Sequence, residues 1–205
     1  TANADTTITN AYKANLQTRG TGSNMGLADS LEVFHIYGQE SSSSAENSRV
    51  LIDFPVTTTI TSDRSAGTIP ASGSVSWFLR VHNVAHPSTL PRNYNMTILA
   101  VSSSWDEGTG MDMENYSDVG YANWSGSASS SSGITAWTSL GGDYHASATG
   151  STAYFDNGTE DIEIDISHLV EEWVKGLSGG AKGDIYGVGI KMENESALSS
   201  SYTKK

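Results

Sequence analysis

Apolar and polar residues alternate with a period of two in segment after segment of this chain, the mark of β-strands with one buried face. Over 74–82, Val75, Trp77, Leu79 and Val81 point one way and Ser76, Phe78, Arg80 and His82 the other. Ile162, Ile164 and Ile166 alternate with Asp161, Glu163 and Asp165. Tyr186, Val188, Ile190 and Met192 form a third row, and Met96, Ile98 and Ala100 a shorter one. Residues 31–37 (LEVFHIY) and 49–56 (RVLIDFPV) are denser apolar runs, as expected of strands covered on both faces. With weaker candidates at 5–9, 134–138 and 152–155, the pattern predicts seven to nine short strands.

One segment follows a helical period instead. Over 167–175, Ser167 is placed to cap the helix, Leu169, Val170, Trp173 and Val174 make one apolar stripe, and Gly176 ends it. Glu171 and Glu172 lie in its first half and Lys175 near its end, the order that the helix dipole favours. The serine tracts Ser41–Ser44 and Ser127–Ser132 fall between strand candidates and read as loops or hairpin tips. These elements predict an all-β fold, a jelly-roll-like antiparallel β-sandwich with one short helix and long polar loops. Trp77, on an inward row, and Trp173, on the helix stripe, are expected in the core. Arg49 and Asp53, four apart on one strand face, could belong to a polar ladder.

Composition agrees with this picture. The 205 residues include 32 Ser and 20 Thr, which take the surface positions that charged residues (17 %) usually fill. A net charge of −12 argues against nucleic acid as a partner, because binding a phosphate backbone needs clustered Lys and Arg. No apolar run approaches the roughly 20 residues of a membrane-spanning helix, so no membrane insertion is expected. The lack of Cys excludes disulfides, thiolate metal sites and cysteine nucleophiles.

Candidate chemistry is sparse. The acids Asp106, Glu107, Asp112 and Glu114 cluster, as glycoside hydrolysis would require of its two carboxyl groups, but their spacing selects no pair. Asp156, Asn157, Glu160 and Asp161 surround a turn and, like Asp106, Glu107 and Asp112, offer oxygens that could hold a structural calcium ion; nothing in the spacing assigns one. His82 and His86 are four apart, but Pro87 follows directly and opposes a helical ligand pair. No HExxH, nucleophile elbow or phosphate-binding glycine loop occurs, so the chain is expected not to be an enzyme and to carry no cofactor. Aromatic residues are another matter. Trp105, Tyr116, Tyr121, Trp124, Trp137 and Tyr144 are six of the chain's 14 Trp and Tyr residues, set on Gly- and Ser-rich stretches. Rings framed by small residues suit adaptable binding loops, and Tyr121, Trp124, Trp137 and Tyr144 are the candidates for stacking on a glycan, with Asp143 and His145 as polar neighbours. The other reading is that these rings anchor the loops onto the sandwich.

Six segments have a recognisable order: ADTTI at Ala4–Ile8, SLEVF at Ser30–Phe34, SRVLIDF at Ser48–Phe54, SSSWDEGTG at Ser102–Gly110, IEIDISHLVEEWVKG at Ile162–Gly176 and YGVGIKM at Tyr186–Met192. Together they resemble the DNRLRE-type β-sandwich domain. The resemblance implies a jelly-roll sandwich akin to the carbohydrate-binding modules of surface proteins and polysaccharide-degrading enzymes. The stretches Ile8–Gly26 and Asp112–Trp124 look most like uncharacterised structural proteins of marine tailed phages. Thr1 is not an initiator Met, so the chain is expected to be processed or excised, and domains of this type usually close with a further strand after the segment resembling SSSYTKK (Ser199–Lys205). The expectation is therefore one β-sandwich over 1–205, a module of a longer polypeptide or one lacking its final strand.

The resemblance implies a non-enzymatic virion structural module, such as a capsid decoration, fibre or tail component, exposed on the particle surface and contributing to host attachment. Its partners would be other virion proteins in an oligomeric assembly, and surface glycans. The alternative is a carbohydrate-binding module of a secreted enzyme or cell-surface adhesin.

Overall fold

The computed structural model describes residues 1–85, 90–114, 120–130, 133–145, 150–176, 184–196 and 202–204. Tyr116 and His86 lie outside these. The chain builds an all-β, sandwich-like fold in which every strand pair is antiparallel. The larger sheet contains β1 (Ala4–Thr9), β2 (Val33–Tyr37), β3 (Ala45–Asp53), β5 (Tyr94–Ala100), β8 (Ser151–Phe155), β10 (Val188–Met192) and β11 (Tyr202–Lys204). Its order is β11-β2-β3-β10-β5-β8, and β1 pairs with β3 outside that order, Ala4–Thr9 against Ser48–Asp53. Facing it are β4 (Phe78–Val81) and β9 (Ile162–Asp165), which pair with each other, and the helix α2 (Ser167–Gly176). A hairpin of β6 (Gly126–Ser130) and β7 (Gly133–Ala136) stands apart.

The central strand explains the two-sided burial that its sequence suggests. Val50 and Ile52 point into the main core, with Met96, Ile98, Val188 and Ile190 from neighbouring strands and Leu79, Ile162 and Ile166 from the opposite layer. Leu51, between them, points to the other face and joins a second core with Ile8, Val101, Ala122, Trp124 and Trp137. The sheet is thus covered on both sides, by β4, β9 and α2 on one and by loops from the irregular region 103–145 on the other. The aromatic loops fold back as a cover.

Several sequence expectations need correction. The run 49–56 does not stay extended: β3 ends at Asp53, and Pro55, with no N–H for the ladder, precedes a π-helical turn (Val56–Ile60) that continues into a short helix, α1 (Thr61–Ser65). Its Thr-rich sequence favours strand over helix, so the pattern gave no sign of it. The alternation over 74–82 makes a ladder only at Phe78–Val81, and Trp77 is half-buried at the edge of the core instead of inside it. Trp173 is in the core, 2 % exposed. For the tract Ser127–Ser132 the hairpin alternative holds: its described residues, Ser127–Ser130, belong to β6, which pairs with β7. Tyr186 leaves the row of Val188, Ile190 and Met192: Gly187 takes φ +114°, which reverses the alternation and packs Tyr186 against the second core. A Cβ at Gly187 would lie 2.4 Å from the Ile52 carbonyl oxygen, so only glycine fits this crossing.

Helix α2 begins with Asp165, whose Oδ1 accepts the Ser167 N–H at 2.7 Å. The Ser167 hydroxyl is used elsewhere, accepting the Trp77 N–H at 2.7 Å and so tying the helix to the approach of β4. Glu171 forms a two-point pair with Arg64 of α1, at 3.0 and 2.7 Å. No helix of the described residues is long and apolar enough to cross a membrane.

Candidate functional site

A cleft of about 580 Å³ opens where the loop cover meets the start of β1 and the end of β3. Trp105, Tyr121 and Tyr186 line it together with the carboxylates Asp53, Asp106, Glu107 and Asp184. Asn3, Ser104 and Thr57 add hydrogen-bonding groups, and Trp173 closes the wall toward the main core. No Lys, Arg or His is among the described residues that line it.

Each wall is held by its backbone. Trp105 donates its indole N–H to the Tyr186 carbonyl at 2.8 Å, which joins two of the rings. Tyr186 donates its backbone N–H to the Val101 carbonyl, just past β5, at 2.9 Å, and its hydroxyl donates to Asp184 at 3.3 Å. Asp106 sits between Ser127 and Ala122, donating its N–H to one and accepting from the other. Its carboxylate is open to solvent. Glu107 Oε1 accepts the Asp5 N–H at 2.7 Å, which fastens the loop to the free edge of β1. Asn3 Nδ2 reaches Asp53 at 3.3 Å.

The buried Asn24 anchors this arrangement from behind. Its Nδ2 donates to the carbonyls of Glu107 (2.7 Å) and Ala122 (2.9 Å), and its Oδ1 accepts the N–H groups of Gly26 (3.1 Å) and Gly110 (2.8 Å). All four valences of the amide are used. The backbone crowds so closely that a Cβ on Gly110 would lie 1.9 Å from the Asn24 carbonyl oxygen.

Burial raises the Asp5 carboxyl above the ordinary carboxylate range, and the negative charge of Glu107 adds to this. Burial likewise raises Asp53, against the hydrogen bonds from Asn3 and Phe54. A group raised in the folded state favours folding below its unfolded pKa and loses that contribution as pH rises through the folded value. Asp5→Asn is therefore expected to raise the melting temperature at pH 7 by about 1–3 °C. The gain should vanish below pH 3. Melting curves of both proteins across that range check it, and a variant less stable at pH 7 would refute it.

The six residues expected at a glycan site are distributed unevenly. Tyr121, 36 % exposed, lines the cleft. His145 supports it indirectly, its Nε2 lying 2.8 Å from the Asp184 carbonyl oxygen, a contact in which Nε2–H is the donor. Trp124 and Trp137 are buried in the second core and present no face for stacking. The Trp137 indole N–H is used on the Asn123 carbonyl at 2.8 Å. Both are anchors, which corrects the stacking expectation for them.

Tyr144 and Asp143 line a separate shallow depression beside Arg49. The Arg49 guanidinium is fully engaged there: it donates to Glu195 at 2.9 and 2.6 Å and to the Gly141 carbonyl at 2.6 Å, and it lies 4.9 Å from the Trp124 ring centre and 5.7 Å from that of Tyr144. Arg49 and Asp53 therefore make no common ladder. Burial pushes the Tyr144 hydroxyl up to about 12, against the pull of Arg49. Burial would raise Asp143 too, but donors from Thr138, Ser139 and Ser103 hold it below the usual range. Asp143 is a turn staple.

Apart from Asp106, most of the oxygens considered for calcium are spent on local structure. Glu160 accepts the Asn157 N–H at 2.7 Å, and Asp161 is bonded to His82 and to the Asn83 N–H. Asp112 accepts the Glu114 N–H at 2.8 Å. Among the described residues no three His, Asp or Glu side chains converge as a metal site would require.

Sequence reasoning placed Trp105 and the pair Asp106–Glu107 among the notable residues without joining them to Tyr121. It took Tyr186 and Asp53 as strand positions and did not single out Asp184. Comparison with protein-family models, with curated proteins and with solved structures finds no match for this chain.

Proposed function

We propose that this chain is a non-enzymatic structural module of a virion, a DNRLRE-type β-sandwich displayed on the particle surface, and that it contacts the host surface by holding a saccharide in the Trp105–Tyr121–Tyr186 cleft. The observation that carries this reading is the lining of the cleft. Three aromatic side chains and several carboxylate, amide and hydroxyl groups bound one concave surface. Rings stack on the apolar faces of sugars while such oxygens accept the hydroxyl protons.

The structural employment of the nearby acids favours binding over hydrolysis. Of the acids that line the cleft, Glu107 accepts the Asp5 amide, Asp53 the Asn3 side chain and Asp184 the Tyr186 hydroxyl, which leaves Asp106 alone uncommitted where hydrolysis needs a pair of carboxyl groups. Placement on a virion rests on the resemblance of Ile8–Gly26 and Asp112–Trp124 to phage structural proteins, and a net charge of −12 suits an outward, solvated position. The partners would then be neighbouring virion proteins. The same fold and cleft would serve a carbohydrate-binding module on a secreted enzyme or adhesin, and mass spectrometry of purified particles separates the two placements.

A glycan array tests the binding role. Wild type is expected to give a signal, and Tyr121→Ala to bind its glycan about three- to tenfold more weakly, the loss of one stacking ring. Because Tyr121 is partly exposed, its truncation should leave the melting temperature within a few degrees of wild type. No signal for wild type, or an undiminished one for the variant, would remove saccharide binding from this cleft.

A further inference from the structure

The charge of the cleft specifies what kind of saccharide it would take. Four carboxylates line it, from Asp53, Asp106, Glu107 and Asp184, and no basic side chain among the described residues shares the wall. Asp53 has the neutral donors Asn3 Nδ2 and the Phe54 amide, Glu107 has the Asp5 amide, and Asp184 has the Tyr186 hydroxyl. None of these donors carries a charge. The two least exposed ion pairs, Arg49–Glu195 and Arg64–Glu171, include none of the residues that line the cleft. The described lining residues therefore give the cleft a negative field, and the rings of Trp105, Tyr121 and Tyr186 add the negative faces of their π-systems.

A second observation is independent of the acids. Trp173 lies in the wall between this cleft and an apolar cavity beside Phe54, Val56 and Leu79, is 2 % exposed, and its indole Nε1–H has no hydrogen-bond partner among the described residues. A buried donor left unpaired is unusual and needs an acceptor. The carboxylates call for cationic donors and the indole for a neutral oxygen. An aminated sugar unit carries both, an ammonium group and ring or hydroxyl oxygens, on a body whose C–H face can stack on a ring.

We infer that the cleft selects saccharides bearing free amino groups, of the de-N-acetylated glucosamine class, over neutral ones, and rejects acidic ones. This inference rests on the saccharide-binding reading above. An ammonium group placed among partly desolvated carboxylates and ring faces gains attraction that an acetamide does not, and a uronate meets repulsion in the same position.

Calorimetric titration of the full chain with three probes tests this: a β-1,4-linked glucosamine trimer, its fully N-acetylated counterpart and a hexuronic acid trimer. The glucosamine trimer should bind about tenfold more tightly than the acetylated one, with an advantage that shrinks as salt rises, and the uronate should not bind. Asp106→Asn should narrow the ratio between the first two toward unity. Glu163→Gln, on the exposed face of β9, should leave that ratio unchanged. Equal affinities, or tightest binding of the uronate, would overturn the inference while leaving saccharide binding intact. A trilysine peptide that binds as well as the glucosamine trimer would overturn it too, reducing the preference to bulk charge. If none of the three saccharides binds, both readings fall.

Discussion

Asn24→Asp is expected to cost about 3–5 kcal/mol of stability, a drop in melting temperature on the order of 10 °C, although it exchanges only an amide NH2 for an oxygen. The reason lies in the direction of each hydrogen bond. Asn24 Nδ2 donates to the carbonyls of Glu107 and Ala122 in a site with no solvent exposure. A carboxylate there would place an acceptor against two acceptors and leave a charge in the interior with only the Gly26 and Gly110 amides to stabilise it. Each carbonyl that loses its donor adds about 1–3 kcal/mol.

The pH dependence identifies the mechanism. Burial among carbonyls raises the introduced carboxyl in the folded state, so the variant's deficit should be largest at neutral pH and shrink as acid protonates it and restores one O–H donor. Because the same bonds hold the backbone of Glu107 and Ala122, beside Asp106 and Tyr121, saccharide binding should fall with stability. A variant that melts within a degree or two of wild type would show that the loop cover does not depend on Asn24.

The contrast between Leu51 and Asn24 shows what a single sequence can disclose here. Leu51 lies in a run of Arg49, Val50, Leu51 and Ile52 whose density signals a strand buried on both faces, and both cores are where that run requires them. Local periodicity is set by the strand's own pleat, so it is written within a few residues. The helix over 167–175 was legible for the same reason. Asn24 and the cleft depend on partners distant in sequence: 83 and 98 residues separate Asn24 from its two carbonyl acceptors. Composition gives no signal for such pairs.

The errors have the same origin. Trp124 and Trp137 resemble binding residues because they sit on Gly- and Ser-rich stretches, yet Leu51 and Ile8 on the outer face of the sheet need a cover and these rings supply it. Tyr186 was counted on a strand face because a period of two cannot anticipate the reversal that Gly187 makes at φ +114°. One available signal was the Asp106–Glu107 pair beside Trp105, where acids and a ring are adjacent in sequence.

Trp173→Ala is expected to lower stability by about 3–5 kcal/mol, as truncation of a fully buried indole does. The ring packs with Leu169 and Val170 of its own helix against Ile52, Ile166 and Ile185, and its removal would open a cavity between α2 and the large sheet. Trp77→Ala, at a half-buried ring on the rim of the same core, should cost about 1–2 kcal/mol. An equal loss at the two positions would contradict the burial that separates them. The more discriminating change is Trp173→Phe. It removes an N–H that is buried without a partner, a relief that offsets the smaller volume, so its stability should stay within about 1 kcal/mol of wild type. Were the indole kept for packing alone, that substitution would be silent in every measurement. If its N–H instead awaits an oxygen of a ligand in the Trp105–Tyr121–Tyr186 cleft, Trp173→Phe should bind the glucosamine trimer several-fold more weakly while melting like wild type. Unchanged binding in that variant would assign the unpaired donor to the core and take it out of recognition.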